Sequence, residues 1–357
     1  MPGTILLCEG FLQDCGYSKT AYGVLRFAPE KVVAIIDSNH AGKDCSEVTS
    51  LGKGIPVVGT VQEALAFEPD TMVIGVATVG GVLSPELRAI VKQALETGLE
   101  VHNGLHEMLS DDPALAEIAR KNGGSIVDLR AQPENLECAS LKAQQVDALV
   151  VLMVGTDCNT GKMTAALEFV REAGKQGKNT RFCATGQSGI AIVGSGIAID
   201  HVLSDFTAGA AEQLVLEAGA DKDVELILVE GQGALAQPVY SGVTLSLMHG
   251  SLPDTMILCH KAGQNLVEIV DTPMPSLVEH IRLYEEAMRL VKPARVQAVA
   301  LNTMDLSDND AREAIKRVTA ETGLPATDPS RFGAQELLDA VCQNGMNKTP
   351  LFRGNKD

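Results

Sequence analysis

The chain has 357 residues, with 29 Lys and Arg against 46 Asp and Glu, giving a net charge of −17. That surplus repels phosphodiester backbones and anionic lipid, so no nucleic-acid and no membrane partner is expected. A small anion can still be held by backbone N–H groups or a few placed cations. Hydrophobic residues make up 45% but aromatics only 3%, with no Trp, so aliphatic side chains must fill the cores, and at ~150 residues per domain the length suggests about two of them.

In chain order, "MPGTILLCEG" has no basic leader region, and nothing in the chain approaches the ~20 apolar residues of a membrane span. A cytoplasmic location is the expectation. "TILLCEG" reads as a first strand, "KTAYGVLRF" as a helix, "KVVAIID" as a strand ending at Asp37, and "TMVIGVAT" as a third strand. "SPELRAIVKQALETG" reads as a helix with Ser84 as N-cap, Pro85 at its first position and Gly98 at its end. "LEVHNGLH" follows as a strand. Alternating strands and helices predict an α/β fold with a parallel sheet covered on both faces. The polar stretch 131–145 breaks the rhythm and reads as a linker. A second α/β unit then begins at "DALVVLMVG", with later strands in "NTRFCAT", "VELILVEG", "DTMILCH" and "RVQAVALN". Its helices are expected at Lys162–Gly174, Ala208–Gly219, Ser276–Val291 and Asp308–Thr322. The predicted division is 1–140, 141–345 and a tail, 346–357. The eight cysteines contain no C-x-x-C pair, so they read as reduced thiols and no metal site is expected.

The sharpest signal is "LVVLMVGTDCNTGKMTAALEFV", a strand, a Gly-rich turn and a helix. In that setting Gly155, Thr156, Asn159, Thr160, Gly161, Lys162 and Thr164 form a phosphate-binding loop. Glycines let backbone N–H groups approach phosphate oxygens, the helix N-terminus adds partial positive charge, and Lys162 adds a full one. Ordinary loops of this kind place a magnesium-binding hydroxyl after the lysine. Here that position is Met163, and Thr164 lies about 100° further round the helix. Such a loop suits a ligand whose phosphates are a handle rather than a reactant, and coenzyme A is one. The spacing of the loop, with "VEGQG" at 229–233 and Asn302 ending "VALN", resembles the dethiobiotin synthetase branch of P-loop proteins. That resemblance implies that Asn302 contacts a base.

The set "GTDCNTGKMT", "ATGQSGI", "SDFTAGAAE", "VEGQG", "YSGVTLSLMHGSLPD", "AIIDSNHAGKD" and "GLHEMLSDDP" resembles the DgcN-like family over residues 4 to 340. These proteins are D-glutamate N-acetyltransferases with an N-terminal Rossmann-like domain and a C-terminal P-loop domain, long described as of unknown function. The resemblance implies two doubly wound domains and transfer of acetyl from acetyl-CoA to the amine of D-glutamate or a related D-amino acid. It places the reaction in D-amino-acid catabolism, ahead of an oxidoreductase. The family often carries a His before the Pro that follows "EGQG", where this chain has Gln237.

Acetyl transfer needs a base for the amine, alignment with the thioester, and donors for the oxyanion. Glu230, at the end of a buried strand, is the first candidate base, followed by His249 and by Asp157 inside the loop. Each has an ordinary structural alternative: a turn carboxylate, a satisfied core histidine, or a residue that positions Lys162. Backbone N–H groups of Gly231 to Gly233, or Gln187 and Ser188 in "TGQSG", are candidate oxyanion donors. Gln187, Ser188, Asp205, Gln232 and Arg331 are the candidate substrate contacts. Acidic helices rich in Ala and Gly also suggest a homo-oligomer. Two other readings stay open: a Mg-ATP-dependent, carboxylate-activating enzyme of dethiobiotin synthetase type, which Met163 argues against, and a non-catalytic nucleotide sensor.

Overall fold

The computed structural model describes residues 3–344 and 350–351, so the tail expected at 346–357 lies almost wholly outside the described residues. By their contacts these residues divide into two units. One contains the chain up to Gln132 together with Gly186–His201, and the other contains Pro133–Thr185 and the chain from Val202 onward.

The first unit holds β1 (Thr4–Leu7), α1 (Lys19–Phe27), β2 (Val32–Ile36), α2 (Cys45–Thr49), β3 (Val57–Val58), α3 (Val61–Ala64), β4 (Thr71–Ile74), α4 (Pro85–Glu96), β5 (Glu100–Asn103), α5 (Pro113–Asn122) and β6 (Ser125–Asp128). The six strands form one parallel sheet in the order β3-β2-β1-β4-β5-β6, a doubly wound arrangement. The apolar runs of β1, β2 and β4 are buried because helices cover both faces. Helix boundaries follow local chemistry. Ser84 accepts from Leu87 N with Pro85 at the first position of α4, and Asp112 caps α5 ahead of Pro113. Asp37 at the end of β2 is fully buried and accepts from Asn39 N and Leu12 N, which is the turn-forming role.

The remaining elements are β7 (Leu149–Gly155), α6 (Lys162–Lys175), β8 (Thr180–Cys183), α7 (Gln187–Val193), α8 (Ser204–Ala218), β9 (Leu226–Val229), α9 (Ser241–Ser251), β10 (Thr255–Lys261), the two-stranded pair β11 (Leu266–Val267) and β12 (Thr272–Pro273), α10 (Leu277–Arg289), β13 (Arg295–Asn302), α11 (Asp308–Thr322), β14 (Ala326–Thr327) and α12 (Gln335–Asn344). All but α7 belong to the second unit. Its parallel sheet runs β14-β13-β10-β7-β9-β8. From β7 the chain leaves to one side for β8 and β9, then crosses to the other side for β10, β13 and β14. The reversal opens a crevice at the carboxyl end of β7, the position that α/β sheets use for ligands.

Several elements differ from the sequence expectation. The stretch 241–251 was not expected to be a helix, yet α9 forms there, with Gly250 packed so tightly that an added Cβ would lie 2.0 Å from the Ala208 carbonyl oxygen of α8. Helix α8 starts at Ser204 rather than Ala208, and Ser276 is the N-cap of α10, closing a capping box with Glu279. The "TGQSG" stretch, expected within the second unit, continues into α7 in the first. There Ser188 Oγ and Thr20 Oγ1 share a 2.7 Å hydrogen bond, Lys31 donates to the Ile192 carbonyl at 2.8 Å, and Arg130 pairs with Asp200.

At the amino end of the second sheet, Lys292 Nζ meets Asp254 Oδ1 at 2.6 Å, with side chains only 5% and 1% exposed. Lys292 also donates to the Leu252 carbonyl, and Asp254 Oδ2 accepts from Val150 N at the start of the sheet. Removing one partner leaves an uncompensated buried charge. Lys292→Met is expected to lower the unfolding free energy by about 3–5 kcal/mol, measured by urea denaturation.

Candidate functional site

The loop between β7 and α6 is folded around two buried side chains. Gly161, at φ +94°, turns the chain into α6, a conformation that a side chain would strain. Lys162 curls back into the loop, where its Nζ donates to the Asp157 carbonyl at 2.7 Å and lies 3.5 Å from Thr160 Oγ1. Burial pulls its pKa down, and the neighbouring Cys259, Cys158, Asp157 and Glu230 act in the opposite sense.

The carboxylate of Asp157 makes its hydrogen bonds elsewhere. It is fully buried, with Oδ1 accepting from Cys158 N at 2.7 Å and Oδ2 accepting from Gln264 Nε2 at 2.7 Å and Glu268 N at 2.6 Å. Its role is to bind the loop to the segment after β10, and only its carbonyl positions Lys162. Asn159 reinforces this, donating to Glu268 Oε2 at 2.9 Å. On the opposite side Tyr284 of α10, fully buried, donates to the Gly155 carbonyl at 2.7 Å and accepts from Leu235 N at 3.1 Å.

Glu230 ends β9 almost completely buried, and its Oε2 accepts from Thr185 N at 2.9 Å. Gln232 donates to Thr185 Oγ1 at 3.2 Å. Between them Gly231 is packed so closely that a Cβ would lie 1.7 Å from the Met153 carbonyl oxygen and 3.0 Å from Lys162 Cδ. Glycine is therefore obligatory there. The "VEGQG" turn lies directly against the lysine of the phosphate loop. Asn302 borders the loop from β13, since a Cβ on Gly161 would sit 3.6 Å from that of Asn302. Met163 and Thr164 are half-buried in the first turn of α6.

Other candidates are placed elsewhere. His249 Nε2 lies 3.3 Å from the Ala287 carbonyl in α10, and α9 leads from there to the start of β10, at the end of the sheet away from the loop. Asp205 is exposed in the first turn of α8. Arg331 donates to the Leu306 carbonyl at 2.9 Å and pairs with Asp308 at 3.2 Å. Gln187 and Ser188 belong to the first unit. Gln237, at the position where a family histidine was expected, is buried and donates to the Glu268 carbonyl at 3.0 Å.

Sequence reasoning missed His260. It is the penultimate residue of β10, the strand beside β7, and its Nδ1 lies 3.0 Å from Thr156 Oγ1 of the loop. Burial, and secondarily the neighbouring His280, pull its pKa from 6.5 down to about 4, so the ring is neutral near pH 7. The available signal was "CHK", where a buried strand turns polar at its carboxyl end, but recognising it required knowing that β10 adjoins β7.

The unfolded chain binds a proton at His260 below about pH 6.5 that the folded chain binds only near pH 4. Stability is therefore lost as pH falls through that window. His260→Asn is expected to make the decline of the urea midpoint between pH 6.5 and 4.5 shallower than in the wild type. Identical slopes would show that another group dominates.

Two doubly wound α/β units, one with a phosphate loop at its switch point, define the class. The chain belongs to the DUF1611 family, described as domains of unknown function. Its P-loop domain matches residues 137–338 and its Rossmann-like N-terminal domain matches residues 38–132. The resemblance drawn from the sequence motifs is to this family. A protein of Tritonibacter scottomollicae named D-glutamate N-acetyltransferase is 36% identical over 339 residues, covering 94% of this chain and 97% of its own length. One from a Pseudoalteromonas species with the same name is 34% identical over 285 residues, covering 79% and 84%. The crystal structure of a DUF1611 family protein from Anabaena variabilis matches with a TM-score of 0.90 at 39% identity, covering 96% of this chain and all of that one. Among the described residues, no helix is long and apolar enough to cross a membrane.

Proposed function

We propose that the protein is an N-acetyltransferase that transfers acetyl from acetyl-CoA to the amine of D-glutamate or a related D-amino acid. The observation that carries this reading is the shared name of relatives that match almost end to end. The loop geometry supports it. Lys162, the N-terminus of the 14-residue α6 and the Gly-rich turn offer a cation and backbone donors to a pyrophosphate. At the position after the lysine, the thioether of Met163 supplies no hydroxyl for magnesium, which suits a coenzyme held by its phosphates better than ATP being split. In this reading the "EGQG" turn at the lysine supplies N–H groups toward the carbonyl oxygen of the thioester. The enzyme works in the cytoplasm as a homo-oligomer, and its N-acetyl product passes to an oxidoreductase of D-amino-acid catabolism. The Mg-ATP-dependent reading keeps the same loop but requires its metal ligand from another residue.

Thiol release from acetyl-CoA should occur with D-glutamate in the presence of EDTA and without ATP. One charge-assisted phosphate contact contributes about 1.5–3 kcal/mol, so Lys162→Ala should lower kcat/KM for acetyl-CoA by about 10- to 100-fold. If thiol is released with no acceptor tested, while ATP and magnesium yield phosphate, the transferase reading is wrong.

A further inference from the structure

We propose that a cleft of about 400 Å³ adjoining the phosphate loop is the acyl-acceptor site, that it takes a small amino dicarboxylate, and that His260 receives the amine proton. This deepens the transferase reading and rests on it.

The cleft is lined by His260, Gln264 and Asn265 after β10, by Leu301 of β13, and by Arg317 and Glu321 of α11. Two of these residues are bonded to the loop itself, His260 through Thr156 and Gln264 through the Asp157 carboxylate. A ligand in the cleft is thus one side chain away from whatever the loop holds. The volume is near the lower end for small-molecule pockets, which run ~300–1,000 Å³, and fits an amino acid. Among the described residues no Phe, Tyr or Trp lines the cleft, so it lacks the flat aromatic surface on which adenine would stack. That favours the acceptor over the distal end of the coenzyme.

The charges fit an amino dicarboxylate. Arg317 is exposed on α11 and its guanidinium makes no hydrogen bond or ion pair with any described residue, so it is free to pair with a carboxylate. Glu321, one turn later, accepts from Leu277 N at 3.1 Å with one oxygen, leaving the other to meet an amine or ammonium group. His260 Nε2 makes no hydrogen bond with any described residue, whereas Nδ1 is fixed by Thr156. The neighbouring His280 is 1% exposed and its Nε2 also has no partner among the described residues, an unmet polar requirement of the kind that a ligand or ordered water fills.

In the reaction, the acceptor first releases one proton to water and enters as the neutral amine. As its nitrogen attacks the thioester carbonyl carbon, the remaining proton in excess passes to His260 Nε2. The C–N bond forms, the C–S bond breaks, and the thiolate takes that proton from the imidazolium. The amide and the thiol leave, and His260 is neutral again.

The test combines calorimetric titration of D-glutamate into the full chain, with coenzyme A present, and steady-state kinetics of the same proteins. Arg317→Gln is expected to raise both the Kd and the KM for D-glutamate about tenfold while leaving the KM for acetyl-CoA unchanged. His260→Asn should lower kcat, keep the D-glutamate Kd close to wild type, and flatten the acid limb of the kcat profile. A shift confined to acetyl-CoA in Arg317→Gln would assign the cleft to the coenzyme and overturn the proposal, as would no shift for either ligand. If the wild type turns over D-glutamate but both variants behave like it, only the acceptor assignment fails. If the wild type neither turns over nor binds D-glutamate or any related D-amino acid tested, both readings fail.

Discussion

The buried carboxylate of Asp157 holds the carboxyl edge of the second sheet together. A carboxylate removed from water costs several kcal/mol unless its lone pairs are met. Here they are met by Cys158 N, Gln264 Nε2 and Glu268 N. Two of those donors come from the segment that follows β10, so the loop and that segment are fixed by one group. Thr156 and His260 repeat the link one residue earlier. The phosphate loop and the adjoining cleft are therefore parts of one scaffold.

The same scaffold explains why the loop can hold a cation with no metal. Burial works against the charge on Lys162, and nearby negative groups, Glu230 among them, work for it. The ammonium rests on the Asp157 carbonyl, which a phosphate oxygen can replace. Gly231 leaves room for the lysine stem where any side chain would collide with Met153. Met163, half-buried in the first turn of α6, carries no hydroxyl.

How much of this was legible in the sequence depended on the range of the interaction. Strands β1, β2, β4, β5, β7 to β10 and β13 were visible as apolar runs, α4 as a capped helix and α11 as a helical stretch between strands, because periodicity and caps are local. The two-residue β3 and the partly exposed β6 carry too little apolar pattern to register. Gly- and Thr-containing α9 has weak local propensity and is made helical by packing against α8. The assignment of 186–201 to the first unit rests on Thr20, Lys31 and Arg130, each between 70 and 168 residues away in sequence from its partner. The loop, Glu230 and Asn302 were legible as a set because motif and strand ends announce themselves. His260 was not, since its significance comes from the neighbour relation between β10 and β7.

The two carboxyl-edge groups that remain, Glu230 and His260, differ in their surroundings. Glu230 spends one oxygen on Thr185 N and lends its charge to Lys162. It is not among the residues that line the cleft. His260 is neutral, has one nitrogen without a partner among the described residues, and lines the cleft. A pKa near 4 makes it a weak base in the absence of ligand, and an effective general base needs a value nearer the working pH. In the proposed acceptor site, a substrate carboxylate not neutralised by Arg317 would raise that value, because opposite charge placed beside an imidazole favours its protonated form. Under the acceptor-site proposal, the substrate's own charges would tune the base, and an amine without carboxylates would bind beside a base too weak to help.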